Sequence, residues 1–287
     1  MKARNGSVCV AVCMGVLGWI ASCGGGTSSG PGVNGTAGQS QDAALDPTKL
    51  AVRIRTNTTA FPHADGLSGQ TAQRVRGGVR SLRLYHDKND PSPVELFNFG
   101  PNPVEVGYSD GDDTLVAQLD PSKIPQGTYT YVRMAQTHSR YRINGTLHDA
   151  GKDMPGFFDD LMVMSDGTMV DGTLRNTGYF SFAFESQAGD KKQFTGDDAL
   201  VAGYSTTAGA VGVVEAGEWA VYFPAKLTIP AQIADGSVLT INVNMFESFR
   251  WKDSTDDGFL PGVFDATATS HELVERFGGN EFVTTFQ

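Results

Sequence analysis

The sequence predicts an all-β protein: an antiparallel β-sandwich, built as one large or two packed sandwiches, behind a disordered N-terminal tether. Three observations predict it. Apolar residues recur with period two in many short runs. Chain-bending dipeptides separate those runs, among them Asp90-Pro91, Asp110-Gly111, Asp120-Pro121, Asp166-Gly167, Asp171-Gly172 and Asp235-Gly236. The composition, with 35 Gly, 13 Pro, 10% aromatic and only 19% charged residues, suits turn-rich β structure better than a helical bundle.

Leu82 and Leu84 alternate with Arg83 and Tyr85, and Phe180, Phe182 and Phe184 alternate with Tyr179, Ser181 and Ala183. Trp219, Val221 and Phe223 follow the same rule, as do Leu239, Ile241, Val243 and Met245, which leave Thr240, Asn242 and Asn244 on the opposite face. Between Thr195 and Gly217 a Gly- and Ala-rich text without period predicts a long excursion loop. One short helical turn is expected over Ser270 to Phe277, with Ser270 as its cap. A dividing line near Ala150-Gly151 separates a β-sandwich over 49–150 from a second sandwich, or a continuation of the first, over 151–287.

Residues 1–22 have the plan of a secretion signal. Lys2 and Arg4 give a positive start, and the apolar run from Val8 to Ile20 is too short to span a bilayer comfortably. The run closes with Ile20, Ala21, Ser22 and Cys23, which resembles the bacterial lipobox. That resemblance implies cleavage between Ser22 and Cys23, a diacylglycerol on the Cys23 sulfur and an acylated new N-terminus, enough chains for stable anchoring. Gly24 stands where an inner-membrane retention signal would place aspartate, so the resemblance points to the outer membrane of a Gram-negative cell. Cys9 and Cys13 are removed with the signal, and Cys23 remains as the only cysteine, so no internal disulfide is expected. Residues 23–48, rich in Gly, Ser, Thr and Ala, read as a flexible tether; treated as a Gly-rich coil it spans roughly 25 Å.

The stretch Val79 to Met134 carries a second likeness. Val79, Ser81, Leu82 and Leu84, then Val94 and Leu96, then Ile124-Pro125 and Gly127-Thr128-Tyr129-Thr130 followed by Val132-Arg133 resemble a β-sandwich domain of unknown function recurrent in bacterial lipoproteins. The likeness covers about a fifth of the chain; it supports a sandwich and transfers no activity.

Losing Lys2 and Arg4 leaves 20 basic against 32 acidic side chains, a formal charge of −12, which disfavours nucleic acid and bare anionic lipid. A divalent cation would bridge such a gap. Asp253, Thr255 and Asp257 ahead of Gly258, closed by Asp265, have the oxygen density and the glycine turn of a calcium loop. Position twelve is Phe264 instead of the glutamate of an EF-hand, so the reading is a non-EF calcium loop or a plain acidic turn. Asp110, Asp112 and Asp113 read as a solvated hairpin. The five histidines, His63, His86, His138, His148 and His271, form no zinc motif, although His138 and His148 would meet if their strands paired. No nucleophile elbow and no phosphate loop is present.

Tyr129 and Tyr131 are expected on one strand face, with Tyr141, Tyr222 and Trp251 outward or at strand ends, as a platform for stacking sugar rings or as the wet edge of a core. Arg74, Arg76, Arg80 and Arg83 form the only basic concentration and read as a solvated strand edge or as a contact for acidic lipopolysaccharide. The resulting expectation is an outer-membrane lipoprotein with a non-catalytic binding or structural role at the cell envelope, its partners the membrane and an envelope polysaccharide or protein. The rival is an envelope hydrolase, for example on polysaccharide, whose carboxylates converge only in the fold.

Overall fold

The computed structural model describes residues 45–201, 203–256 and 258–287. The signal segment, Cys23 and Asp257 lie outside the described residues. The chain is all-β. In order the strands are β1 (Leu50–Asn57), β2 (Ser68–Gln70), β3 (Gln73–Tyr85), β4 (Val94–Asn98), β5 (Val104–Gly107), β6 (Asp113–Leu119) and β7 (Gly127–Asp149). They continue as β8 (Lys152–Val163), β9 (Thr168–Val170), β10 (Thr173–Arg175), β11 (Phe180–Ser186), β12 (Lys191–Gly196), β13 (Tyr204–Ser205) and β14 (Val211–Glu215). The last six are β15 (Glu218–Ile229), β16 (Val238–Asn244), β17 (Phe249–Lys252), β18 (Asp265–Thr267), β19 (Leu273–Phe277) and β20 (Glu281–Phe286).

The 23-residue strand β7 is the spine. On one edge it pairs first with β15, over residues 127–136, and then with β8, over 138–149. On the other edge it pairs with β3, over 131–142, and then in parallel with β18, over 146–148. A curled eleven-stranded sheet results. The change from β15 to β8 falls at Thr137, which is wholly buried and whose carbonyl accepts the Met164 N–H at 2.7 Å. Ser165 closes the gap: its hydroxyl donates to the Gln136 carbonyl at 2.6 Å and accepts the Trp219 N–H at 2.9 Å. Backbone groups left unladdered where one partner strand replaces another are thereby satisfied.

A four-stranded sheet, β20-β16-β1-β6, covers one half of this layer, with β1 and β16 parallel inside an otherwise antiparallel set. Alternation sends Leu50, Val52 and Ile54 of β1 and Leu239, Ile241 and Val243 of β16 inward against Val132, Met134, Val221 and Phe223. A three-stranded sheet, β19-β17-β2, covers the other half, where Phe249, Trp251 and Phe264 meet Phe158 and Tyr141. Each such apolar side chain contributes roughly 1.5–3 kcal/mol on burial. Strands from before and after residue 150 lie side by side and share one main buried cluster, beside which Leu161, Val163 and Val170 form a small second one.

Two local expectations are corrected. Leu273–Phe277 is a strand instead of a helical turn, because β17 offers it an antiparallel ladder that a short isolated helix cannot match. The excursion loop at Thr195–Gly217 contains β13 and β14, and β14 forms a hairpin with β15 through Ala216 (φ 49°) and Gly217 (φ 75°). Such a turn normally carries Asn-Gly or Gly-Gly, and alanine hid it.

A Cβ on Gly145 would lie 2.3 Å from the Phe264 carbonyl oxygen, the acceptor of the Thr146 N–H where the loop before β18 meets β7. Gly145→Ala is expected to cost about 1–3 kcal/mol, measured as a lowered urea midpoint. An unchanged midpoint would mean that this segment is not held against the spine.

Candidate functional site

The face of β3, β7 and β15 opposite the core follows from the same alternation. With Leu82, Leu84, Val132, Met134, Val221 and Phe223 inward, the residues between them turn out. Register then aligns Arg83, Arg133 and Tyr222 in one cross-strand row, and Tyr85, Tyr131 and Pro224 in the next. Two arginines directly opposite repel, so the row holds only with counter-charges. Glu95, opposite Arg83 on β4, pairs with it at 2.8 Å. Glu215 and Glu218, carried by the β14–β15 turn, reach Arg133 at 2.8 and 2.5 Å. Arg80 donates to the Asp166 carbonyl at 2.8 Å and lies 3.6 Å from Glu218.

Arg80, Arg83, Arg133, Asp166, Glu215 and Glu218 line, with the β14–β15 turn, an open cleft of about 510 Å³. Arg133 is its floor: only 3% of the side chain is exposed. Burial works against its charge, but Glu218 and Glu215 outweigh that and hold the guanidinium firmly protonated. Burial likewise opposes the charge of Glu215, and the hydrogen bonds from the Tyr222 hydroxyl, at 2.7 Å, and from Arg133 overcome it, so its carboxyl stays below the usual range. Burial and Glu215 together push the Tyr222 phenol up. Tyr85 packs tilted against Tyr222 with ring centres 6.1 Å apart. The cleft thus offers fixed donors and fixed acceptors, with the rings of Tyr222 and Tyr85 beside it, and an ionised carboxylate unsuited to act as an acid.

Of the predicted platform, Tyr131 is half-buried on this outer face, whereas Tyr129 is wholly buried. The shared face is therefore corrected. Pairing with β15 shifts register between Pro224 and Leu227, and this bulge reverses the parity of β7, turning Tyr129 into the core, where its hydroxyl donates to the Pro125 carbonyl at 3.0 Å. Trp251 is also buried, and Tyr141 packs between Phe249 and Phe277. Arg80 and Arg83 are not on an edge: β3 pairs with β7 on one side and with β4 and β5 on the other. Arg133, Glu215 and Glu218 were missed. The outward direction of Arg133 beside Tyr131 was readable from alternation, but nothing in the text links it to a turn more than eighty residues later.

The predicted calcium loop closes on itself. The Asp253 carboxylate accepts from the Trp251 indole N–H, the Gly262 N–H and the Ser68 hydroxyl. Asp265, fully buried, accepts from the Leu260 N–H at 2.7 Å and meets Nε2 of His148 at 2.9 Å. Glu272 accepts the N–H groups of Ser254 and Asp265; burial raises its pKa. Thr255 is exposed, and Asp257 lies outside the described residues. Among the described residues no group of three or more His, Cys, Asp or Glu is placed to hold a metal ion. Asp110 accepts the Thr58 N–H, Asp112 the Ser109 N–H, and Asp113 pairs with Arg53 and Arg55.

His138 and His148 lie on the same strand instead of paired ones; His138 meets Glu105 at 2.8 Å, and His148 is clamped between Asp153 and Asp265 and stacked on Phe259. A second depression, of about 470 Å³, is lined by Gln70, Asn144, Gly145, Gly156, Phe157 and Gln187 among others. Set against protein-family models, curated proteins and solved structures, the chain matches none.

Two pH dependences follow. Burial lowers the His148 pKa, but Asp265 and Asp153 outweigh it and the net shift is upward. Its stabilising contribution is therefore complete below about pH 6.5 and fades as pH rises through the raised value. The stability gap between the wild type and His148→Gln, read by urea unfolding, should be widest near pH 6 and close at pH 9; a pH-independent gap would contradict the clamp. Burial pushes Asp160 up to about 6 against its hydrogen bond from Tyr141, so ionising it costs stability above that pH. Asp160→Asn should gain roughly 1–2 kcal/mol at pH 8 and little at pH 4.

Proposed function

We propose that this chain is a lipid-anchored, non-catalytic binding protein of the outer membrane of a Gram-negative cell. Cys23 carries the anchor, and the outer face of β3, β7 and β15 is the binding surface. The observation that carries the binding part is the Arg133 cleft, where Glu215 is held ionised by a buried guanidinium and a phenol in an arrangement made for hydrogen bonding. A rigid sheet under such a row pre-organises it for recognition.

The hydrolase reading asks for two carboxyl groups across one depression, one of them with a raised pKa to serve as the acid. Among the described residues Asp160 and Glu272 are the carboxyl groups with raised pKa, and neither lines the Arg133 cleft or the second depression beside Gly145. Calcium at Asp253 and Asp265 would have to draw both carboxylates from the donors that now hold them. Heat on calcium titration with a raised thermal midpoint would support that partner, and no heat would count against it.

Growth of a producing Gram-negative host on labelled palmitate tests the anchor. Label is expected on the wild-type chain, recovered with outer membranes, and is expected to vanish in Cys23→Ala together with membrane association. Label that persists without Cys23 would overturn the anchor, and release of reducing ends from a bound polysaccharide would overturn the non-catalytic role.

A further inference from the structure

Among the described residues six buried side-chain polar atoms lack a hydrogen-bond partner, and three of the six lie around one place. Arg133 Nη1, Arg80 Nε and Ser81 Oγ are all buried and unpaired among the described residues. Arg80 and Arg133 line the cleft, and Ser81 lies one cross-strand row from Arg133, opposite Ala135. A buried donor left unpaired is costly, and native proteins retain few of them. Arg133 is otherwise engaged, with Nε on Glu215 and Tyr222 and Nη2 on Glu218; its remaining nitrogen has no partner among the described residues.

The chemistry of that acceptor follows from the charges around it. The cleft is lined by Arg80, Arg83 and Arg133 and by Asp166, Glu215 and Glu218, three cations against three anions, on a chain of net charge −10. A polyanion finds no local excess of positive charge and meets general repulsion. A polycation finds guanidinium groups where it needs acceptors. An uncharged polyol uses both halves: its hydroxyls accept from the guanidinium groups that line the cleft and donate to Glu215 and Glu218, whose side chains are 43% and 22% exposed. Tyr131 and Tyr85, neighbours in register and both half-buried, flank the charged row with ring edges and faces suited to the apolar side of a sugar ring.

We infer that the Arg133 cleft, with Tyr85 and Tyr131 beside it, is a binding site for an uncharged oligosaccharide segment of a polysaccharide. The inference rests on the binding role proposed above and names its ligand class.

The test uses the full-length, lipidated protein in detergent micelles and measures binding to immobilised neutral polymers, α- and β-linked glucans and a galactomannan, with polygalacturonate as the acidic comparison. Saturable binding to at least one neutral polymer is expected, with little to polygalacturonate. Glu215→Gln, at the exposed rim, should weaken it about fivefold and Tyr131→Ala about tenfold, while Tyr131→Phe retains it. Glu215→Gln removes a counter-charge of buried Arg133 and should lower the thermal midpoint, whereas both Tyr131 variants should stay near the wild type; binding is measured well below every midpoint, which separates lost binding from lost folding. Binding to no neutral polymer, or to polygalacturonate alone, would overturn the ligand class. Equal binding by wild type, Glu215→Gln and Tyr131→Ala would overturn the location. Either failure, with Cys23-dependent palmitate label intact and no reducing ends released, leaves the anchored binding role standing. Cleavage of a bound polymer would instead defeat that role.

Discussion

Strand β7 offers each of its two edges to two partners in succession, and the arrangement of nearly every other element follows from this. Its first half is flanked by β15 and β3, its second by β8 and β18. A 23-residue strand is far longer than the usual five or six, and at that length a single straight sheet would twist away from its cover. Exchanging partners near Thr137 lets the sheet curl, so that one half meets the four-stranded sheet and the other the three-stranded one. The exchange leaves backbone groups without a ladder, and Ser165, buried and bonded to Gln136 and Trp219, supplies what the ladder lacks.

The same spine creates the electrostatic problem that shapes the candidate site. Register places Arg83 and Arg133 opposite one another on the outer face, and the row is stable because carboxylates from a neighbouring strand and from a distant turn close on it. The turn that delivers Glu215 and Glu218 runs through a non-glycine residue of positive φ. Its position is secured by the Asp166 N–H donating to the Gly217 carbonyl at 2.8 Å. Local backbone strain and burial of a charge thus meet at one place, a coincidence common at binding sites.

At the other end of β7 a different use of acidic residues appears. Asp253, Asp265 and Glu272 turn their oxygens toward indole, hydroxyl, imidazole and backbone N–H donors of their own loop and its neighbours. Their role in this loop is that of internal acceptors, which explains how a long irregular segment around β18 can stay packed over Phe158 and Phe249 without its own ladder.

Much of this was legible before the fold was known. Period two in Leu82–Tyr85, Trp219–Phe223 and Leu239–Met245 identified strands and the faces that Val221, Phe223 and Ile241 present to the core, because side-chain direction in a strand is a local property. Helix-poor composition and the spacing of turn dipeptides were equally local. Tyr129 was misplaced because a bulge reverses parity, and bulges arise from the pairing of two strands, not from either one. The Ala216–Gly217 hairpin and the strand at Leu273–Phe277 escaped for a related reason: neighbours in the sheet overrode weak local preference. The sequence by itself determined the strand content, the inward faces and the outward direction of Arg83, Arg133 and Tyr131. Only the tertiary structure decided that Arg133 would be buried between Glu215 and Glu218 and that the loop acids would face their own donors, since both depend on register between segments that the chain keeps far apart.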